Sequence, residues 1–237
     1  MRTIALLTDF GTRDPYVAAM KGVIASRCGA RIVDLTHESA PFDVWEAAFF
    51  LRDVESWWPE GTIFVCVVDP GVGTARRIIA VESERRLFLA PDNGLLHFVG
   101  GDAYDVTNES LFLPRGSTTF HGRDRFAPVA AALANGLPIA EVGPRIDDRI
   151  PLDYTPGCII RIDRFGNCIT DITPPAKPFS VIVRDHRIDD VRTTYSGDGV
   201  FAIIGSTGCI EISVANGSAA SLLHLGRCDR VTIVPKT

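Results

Sequence analysis

The chain changes its grammar once, near Tyr154. Before that point short apolar, β-branched runs alternate with amphipathic stretches. TIALLT is followed by a helical pattern from Asp14 to Cys28, then RIVDLT, a second helical pattern from Asp43 to Trp58, and GTIFVCVV. After DDRIPLDYTPG only strand-like runs remain: CIIRID, CITDI, FSVIVR, VFAIIG, CIEISVA and RVTIVP, separated by the turn signals FGN, SGDG, STG and NGS. A strand followed by a helix and another strand pairs in parallel through a crossover. The first part therefore specifies an α/β domain with a doubly wound, mainly parallel sheet. Strands joined by short turns pair antiparallel, so the second part reads as a small all-β, barrel-like domain. The two domains are expected over residues 1–153 and 154–237, with TPPAKP a short rigid connector inside the second.

The helical stretches carry their own punctuation. Asp14 is the expected N-cap of the first, with Pro15 at its first turn and Val17, Met20 and Ile24 on one face. Asp43 with Glu46 three residues on resembles a capping box, followed by Val44, Ala48 and Leu51 in helical register. A third helical segment, Asp124 to Asn135, carries Phe126, Val129, Ala130 and Leu133, and Gly136 stands at the expected C′ position.

Composition narrows the function. A chain of 237 residues can bury a sizeable core, and its net charge of −5, with arginines scattered among acids, argues against nucleic acid as a partner. MRTIALLTDF has too short an apolar run for a signal peptide, and no later run spans a bilayer, so a soluble, cytoplasmic protein is expected. Six cysteines sit far apart without a C-x-x-C pair, which indicates neither a zinc site nor a disulfide framework.

Chemistry concentrates at four strand-to-loop junctions of the first domain: TDFGT with Asp9, VDPGVGTARR with Asp69 and Arg76, APDNG with Asp92 and Asn93, and TFHGRDRF with His121. Loops that follow parallel strands gather at one edge of the sheet, where α/β folds bind their ligands, so the four are expected to share that edge. Each also has an ordinary reading: Asp-Pro-Gly and Pro-Asp-Asn-Gly are turn sequences, Asp9 can cap a turn, and His121 can be a satisfied core histidine. DPGVGT lacks the Gly-Lys-Ser/Thr ending of a phosphate loop and the G-x-G-x-x-G spacing of a dinucleotide fold. A metal hydrolase would use Asp9, Asp69, Asp92 and His121 as ligands, with Arg76 or Arg77 opposing the cation. Successive side chains diverge, so only one of these two arginines is expected to enter a site, and the other reads as a solvated surface cation. His37, His97, His186 and His224 have no evident partner and receive no role.

Together, TDFGTRDPYVAAMKGVI, VVDPGVGTARR, APDNGLL, TFHGRDRFAPVAA, DRFGNCITDI and EISVANGSAA resemble the S-adenosylmethionine hydrolases, or S-adenosylmethionine hydroxide adenosyltransferases, relatives of fluorinase and chlorinase. The similarity spans nearly the whole chain in order. It implies hydrolysis of S-adenosyl-L-methionine to adenosine and L-methionine, with no cofactor and no metal, in a homotrimer whose sites lie between the first domain of one subunit and the second domain of its neighbour. It also implies a catalytic triad of Asp69, Arg76 and His121, Asp9 on the ribose hydroxyls and Phe42 against the nucleoside. Asp163 and Ser206 match positions that hold the methionine amino and carboxylate groups, and Phe165, Asn167, Ala215 and Asn216 match the adenine side. Halogenases carry arginine after that serine, where this chain has Thr207. They also have tyrosine at the position of Asp69 and hydroxyl residues near Val72 and Gly122. The alternatives are a halogenase and a non-catalytic sensor that binds the same molecule.

Elementary chemistry fits a carboxylate here. The sulfonium leaves as a neutral thioether and needs no general acid, so the work lies in supplying and aiming an oxygen nucleophile. A carboxylate repels halide but orients water. Arg76 would favour hydroxide, and His121, oriented by Asp69, would accept the proton.

Overall fold

The computed structural model describes residues 2–236, and the chain divides into two compact units, the first ending at Asp153 and the second beginning at Tyr154. The first unit runs β1 (Thr3–Thr8), α1 (Tyr16–Arg27), β2 (Arg31–Thr36), α2 (Val44–Val54), β3 (Ile63–Val67), β4 (Ile78–Ser83), β5 (Arg86–Pro91), β6 (Asp102–Asp105), α3 (Ala127–Ala134) and β7 (Arg145–Ile146). Its seven strands form one sheet in the order β2-β1-β3-β5-β4-β6-β7. Alternation along β1 and β3 assigns residues to opposite faces. Ile4, Leu6, Ile63 and Val65 pack with Met20 and Ile24 of α1 and Val129 and Leu133 of α3, whereas Ala5, Leu7, Phe64 and Cys66 pack with Ala47 and Leu51 of α2. Helices thus cover both faces, as the strand-helix alternation requires.

The sheet is mixed rather than mainly parallel. β1 pairs in parallel with β2 and β3, and β3 with β5, but β4 is antiparallel to β5 and β6, and β6 to β7. The reversal is a β4-β5 hairpin whose turn residues, Glu84 and Arg85, have φ of 45° and 63°. A two-residue hairpin turn of this handedness usually announces itself with Asn or Gly; here two long charged residues adopt it, and the sequence carries no signal.

Two helix ends differ from expectation. α1 starts at Tyr16 with Pro15 in the cap position and no side-chain cap, because Asp14 lies one residue too early to reach the orphan amides. A π-turn from Gly122 to Phe126 precedes α3, so the third helical segment is wider at its start than its periodicity suggests. The cap of α2 is as read, with the Asp43 carboxylate accepting from the Glu46 amide at 2.9 Å. Gly136 closes α3 at φ 99°.

The second unit contains β8 (Ile159–Ile162), β9 (Cys168–Thr170), β10 (Phe179–Val183), β11 (His186–Ile188), β12 (Val191–Arg192), β13 (Val200–Ile204), β14 (Ile210–Val214), the short helix α4 (Ala219–Leu223) and β15 (Val231–Pro235). The strands fall into a three-stranded sheet, β11-β10-β15, and a five-stranded sheet, β12-β13-β14-β9-β8, antiparallel except for β12 with β13. Their inner faces share a core of Ile159, Val181, Ala202, Ile212 and Leu223. α4 is too short to leave a periodic trace; its signal is the N-cap Ser218, which accepts from the Ser221 amide at 3.0 Å. Buried cysteines behave as small hydrophobes: burial pushes the Cys158 thiol up to about 11 and that of Cys168 to about 12. Among the described residues no helix is long and apolar enough to cross a membrane.

Candidate active site

β1 and β3 are parallel neighbours with Thr8 opposite Val67, so Asp9 and Asp69 leave the sheet at the same edge. The loop after β3 is tight, with Val72 N donating to Asp69 O at 3.2 Å and Thr74 N to Gly71 O at 3.1 Å. Gly73, at φ 82°, lies so close to the neighbouring segment that a Cβ would fall 2.6 Å from Thr118 O. The second glycine of DPGVGT therefore exists to let this loop pack against the segment leading to His121.

Asp9, Phe42, Asp69 and His121 line one cavity of about 530 Å³ together with Phe10, Tyr16, Val72, Ser117, Thr119, Phe120, Gly122 and Arg123. One wall is aromatic: Phe10, Tyr16 and Phe120 meet edge to face with ring centroids 5.8, 6.1 and 5.2 Å apart. Phe42 is 71 % exposed and held at φ 67°, its amide donating to Asp9 Oδ2 at 2.8 Å.

Asp69, Arg76 and His121 meet, but in an order the sequence did not indicate. Arg76 stands in the middle. Its Nε donates to both Asp69 oxygens at 3.0 Å, and its Nη2 donates to Asp69 Oδ2 and lies 2.8 Å from His121 Nδ1. His121 is therefore oriented by Arg76, not directly by Asp69. All three are buried, with 4 % of the Asp69 and 9 % of the Arg76 side chain exposed.

Guanidinium only donates, so Nδ1 of His121 must accept, and the ring proton sits on Nε2. Burial, reinforced by Arg125 and Arg76, pushes the His121 pKa down to about 4, so the ring is neutral near pH 7. Two nitrogens then stand buried without an acceptor: Arg76 Nη1 and His121 Nε2. A buried donor left unsatisfied costs about 1–3 kcal/mol and more when charged. Because His121 Nε2 points across the ring from Arg76, each of these donors calls for its own acceptor.

Asp92 and Asn93 follow β5, which is parallel to β3, and so reach the same edge, but they do not line this cavity. Asp92 is buried and accepts from Arg77 Nε at 2.9 Å and Nη2 at 2.6 Å and from the Ile150 amide at 2.9 Å, beside a separate cavity of about 200 Å³. Arg77, which also reaches Asp148 at 2.7 Å, is a structural ion-pair partner rather than a solvated cation. Asn93 is spent on Val68 O and the Leu95 amide. Of the adjacent arginines, one faces the site and the other faces away, as strand-like alternation demands.

In the second unit Asp163, Phe165, Asn167 and Asn216 border a cavity of about 640 Å³ with Tyr195, Val214, Gly217 and Ser218. Asp163 organises the turn: Oδ1 accepts from the Phe165 and Asn167 amides and Oδ2 from Asn167 Nδ2, each at 2.9 Å. This leaves Phe165 76 % exposed. Ser206, exposed in the β13-β14 turn, and Ala215 are not among the residues bordering this cavity. Tyr195 is, although the sequence reading passed over it; its hydroxyl donates to buried Glu211 at 2.7 Å. Its sequence signal was an aromatic set between polar turn residues, where packing gives no reason for one.

Comparison with known proteins matches this geometry to a family. Residues 4–143 match the model described as the SAM hydroxide adenosyltransferase N-terminal domain, and residues 157–232 the corresponding C-terminal domain. A protein of Thermus thermophilus named (R)-S-adenosyl-L-methionine hydrolase is 40 % identical over 95 % of this chain and 96 % of its own length. A protein of an Actinoplanes species named fluorinase is 33 % identical over 71 % of each chain. A crystal structure of an uncharacterized conserved protein from Thermotoga maritima superposes with a TM-score of 0.88 at 33 % identity, covering 98 % of this chain and all of the other. A sheet edge that gathers Asp9 and Asp69, an Asp-Arg-His cluster beside it and family models over both units lead to one placement: this chain belongs to the SAM hydroxide adenosyltransferase family.

Proposed function

We propose that the chain does what its hydrolase relatives are named for, hydrolysing (R)-S-adenosyl-L-methionine to adenosine and L-methionine. The observation that carries the mechanism is the Asp69-Arg76-His121 cluster, in which His121 keeps an unpartnered Nε2 proton and lines the same cavity as the Asp69 carboxylate. A water or hydroxide oxygen in the cavity would accept from His121 Nε2, and Asp69, which lines the same cavity, would accept the hydrogen bond that the nucleophile donates. The oxygen forms a bond to C5′ as the C5′–S bond breaks, and sulfur takes the electron pair and leaves as neutral methionine thioether; hydroxide gives adenosine directly, whereas attacking water passes its surplus proton to the Asp69 carboxylate and from there to solvent. Arg76 raises the share of hydroxide by its charge. His121 acts as a donor: its Nδ1 lone pair is committed to Arg76, which favours this role over that of proton acceptor.

Halide fits this pocket poorly. The Asp69 carboxylate repels an anion, and a side chain at Gly122, where halogenases carry a hydroxyl, would start 3.1 Å from Met20 Sδ and 3.2 Å from Phe10. Asp9 is assigned to the ribose diol and Phe42 to the nucleoside. In the second unit Asp163 and Ser206 are assigned to the methionine end, and Phe165, Asn167, Ala215 and Asn216 to adenine. Resemblance to the family supports a homotrimer in which each site is completed by a neighbouring chain. No cofactor or metal has a task when the leaving group is neutral, and the cytoplasm, where the substrate is made, is the proposed compartment.

Incubation with the substrate in chloride buffer containing excess chelator is expected to yield adenosine and methionine in equal amounts. 5′-Chloro-5′-deoxyadenosine as the main product, or activity that returns only on adding a divalent ion, would reject this assignment.

A further inference from the structure

His37 received no role from the sequence, yet it is 4 % exposed and stands at the base of the loop that carries Asp9. Its Nε2 lies 3.0 Å from Asp34 Oδ1, and the other oxygen of Asp34 accepts from Lys21 Nζ at 2.6 Å. Its Nδ1 lies 2.8 Å from the hydroxyl of Thr8, which is fully buried. That hydroxyl oxygen in turn accepts from the Phe10 amide at 3.2 Å, and His37 O accepts from the Gly11 amide at 2.7 Å.

These contacts have one direction. Asp34 Oδ1 lies 3.0 Å from Nε2, so the neighbouring carboxylate favours the ring proton on that nitrogen and leaves Nδ1 as the acceptor. The Thr8 hydroxyl must then donate to Nδ1, which turns its lone pairs toward the Phe10 amide. Asp34, His37 and Thr8 thus form a chain that runs from an exposed carboxylate through two buried residues to the peptide immediately after Asp9, and the Gly11 amide pins the loop a second time. Asp9 itself uses Oδ2 to hold the amide of Phe42, whose φ of 67° is unfavourable for a bulky residue.

We propose that His37 is a positioning residue for Asp9, acting through Thr8 to hold that carboxylate in the pose that reads the ribose hydroxyls. The inference rests on the S-adenosylmethionine reading and names the device that secures its ribose recognition. His37 touches neither substrate nor nucleophile, so its loss affects selection of the sugar rather than the displacement step.

The test compares S-adenosylmethionine with its 2′-deoxyadenosyl analogue in wild type, Asp9→Ala, His37→Ala and Thr8→Val. Thr8→Val removes only a hydroxyl at nearly constant shape and keeps the experiment decisive if His37→Ala folds poorly. In Thr8→Val and His37→Ala, KM for S-adenosylmethionine is expected to rise ~3–10-fold, as for one lost hydrogen bond, and preference over the deoxy analogue to fall by a similar factor with kcat within about twofold. Asp9→Ala should lose that preference outright. If Asp9→Ala loses it while Thr8→Val and His37→Ala keep the wild-type ratio, His37 is a packing residue and the proposal is overturned. If Asp9→Ala itself keeps the ratio, the assignment of Asp9 to the ribose fails first.

Discussion

Replacing Arg76 with alanine is expected to lower kcat by ~10³-fold or more, the range seen when a preorganised donor and its partners are lost together, and to cost about 3–5 kcal/mol of stability. One guanidinium serves Asp69 through Nε and Nη2 and His121 through Nη2, and so holds both residues that face the nucleophile. Its removal strands a carboxylate that is 4 % exposed. It also frees His121 to rotate or change tautomer. Arg76→Lys restores the charge but not the fork, since an ammonium cannot span both partners at guanidinium geometry, so most of the loss in kcat should persist while stability partly recovers. Asp69→Asn should act on kcat in the same direction, by ~10²–10⁴-fold, with KM nearly unchanged. Single-turnover rates and urea denaturation of the three variants separate the two effects. An Arg76→Ala enzyme within about tenfold of wild type in kcat would remove the arginine from the chemistry.

The second large effect concerns His121. As a donor from Nε2, it should be irreplaceable by a side chain that cannot donate there, and His121→Ala should lose ~10²–10³-fold in kcat with substrate affinity nearly intact. The pH dependence distinguishes donor from base. A histidine with a folded-state pKa of about 4 stays neutral through the physiological range, so its titration should leave no inflection in kcat near the ordinary histidine value of 6.5. The stability sign follows from the same shift. The unfolded histidine takes up its proton near 6.5 and the folded one only near 4, so its contribution is present above 6.5 and is lost as pH falls through that window toward the folded value. His121→Ala should therefore lose less stability than wild type between those pH values. An inflection in kcat near 6.5 that vanishes in His121→Ala would restore the histidine as proton acceptor.

The strand-end rule explains why so much of the site was legible. Asp9 and Asp69 end parallel neighbours, and parallel neighbours present their ends together, so their meeting follows from the alternation of strands and helices alone. The same rule misled at Asp92. It too ends a strand of this sheet, but its carboxylate is consumed by Arg77, and no local pattern distinguishes a carboxylate offered to a ligand from one committed to a side chain fifteen residues away. The β4-β5 hairpin was hidden because Glu84 and Arg85 take left-handed angles without the residues that advertise them. Arg76 was placed in the cluster by resemblance, but its position between Asp69 and His121 depends on the packing of Gly73 against Thr118, a contact between segments more than forty residues apart. His37 shows the opposite case: a histidine with nothing to say in sequence acquires partners only once β1 and β2 lie side by side.

The most direct test of water as the nucleophile is turnover in ¹⁸O-labelled water. Displacement at C5′ makes the C5′–O bond anew, so one labelled oxygen is expected at the 5′ position of adenosine, detectable as a mass increase confined to the ribose fragment, with methionine unlabelled. Adenosine released without label, or a halogenated nucleoside in its place, would mean that the attacking atom is not a water oxygen aimed by Asp69 and His121.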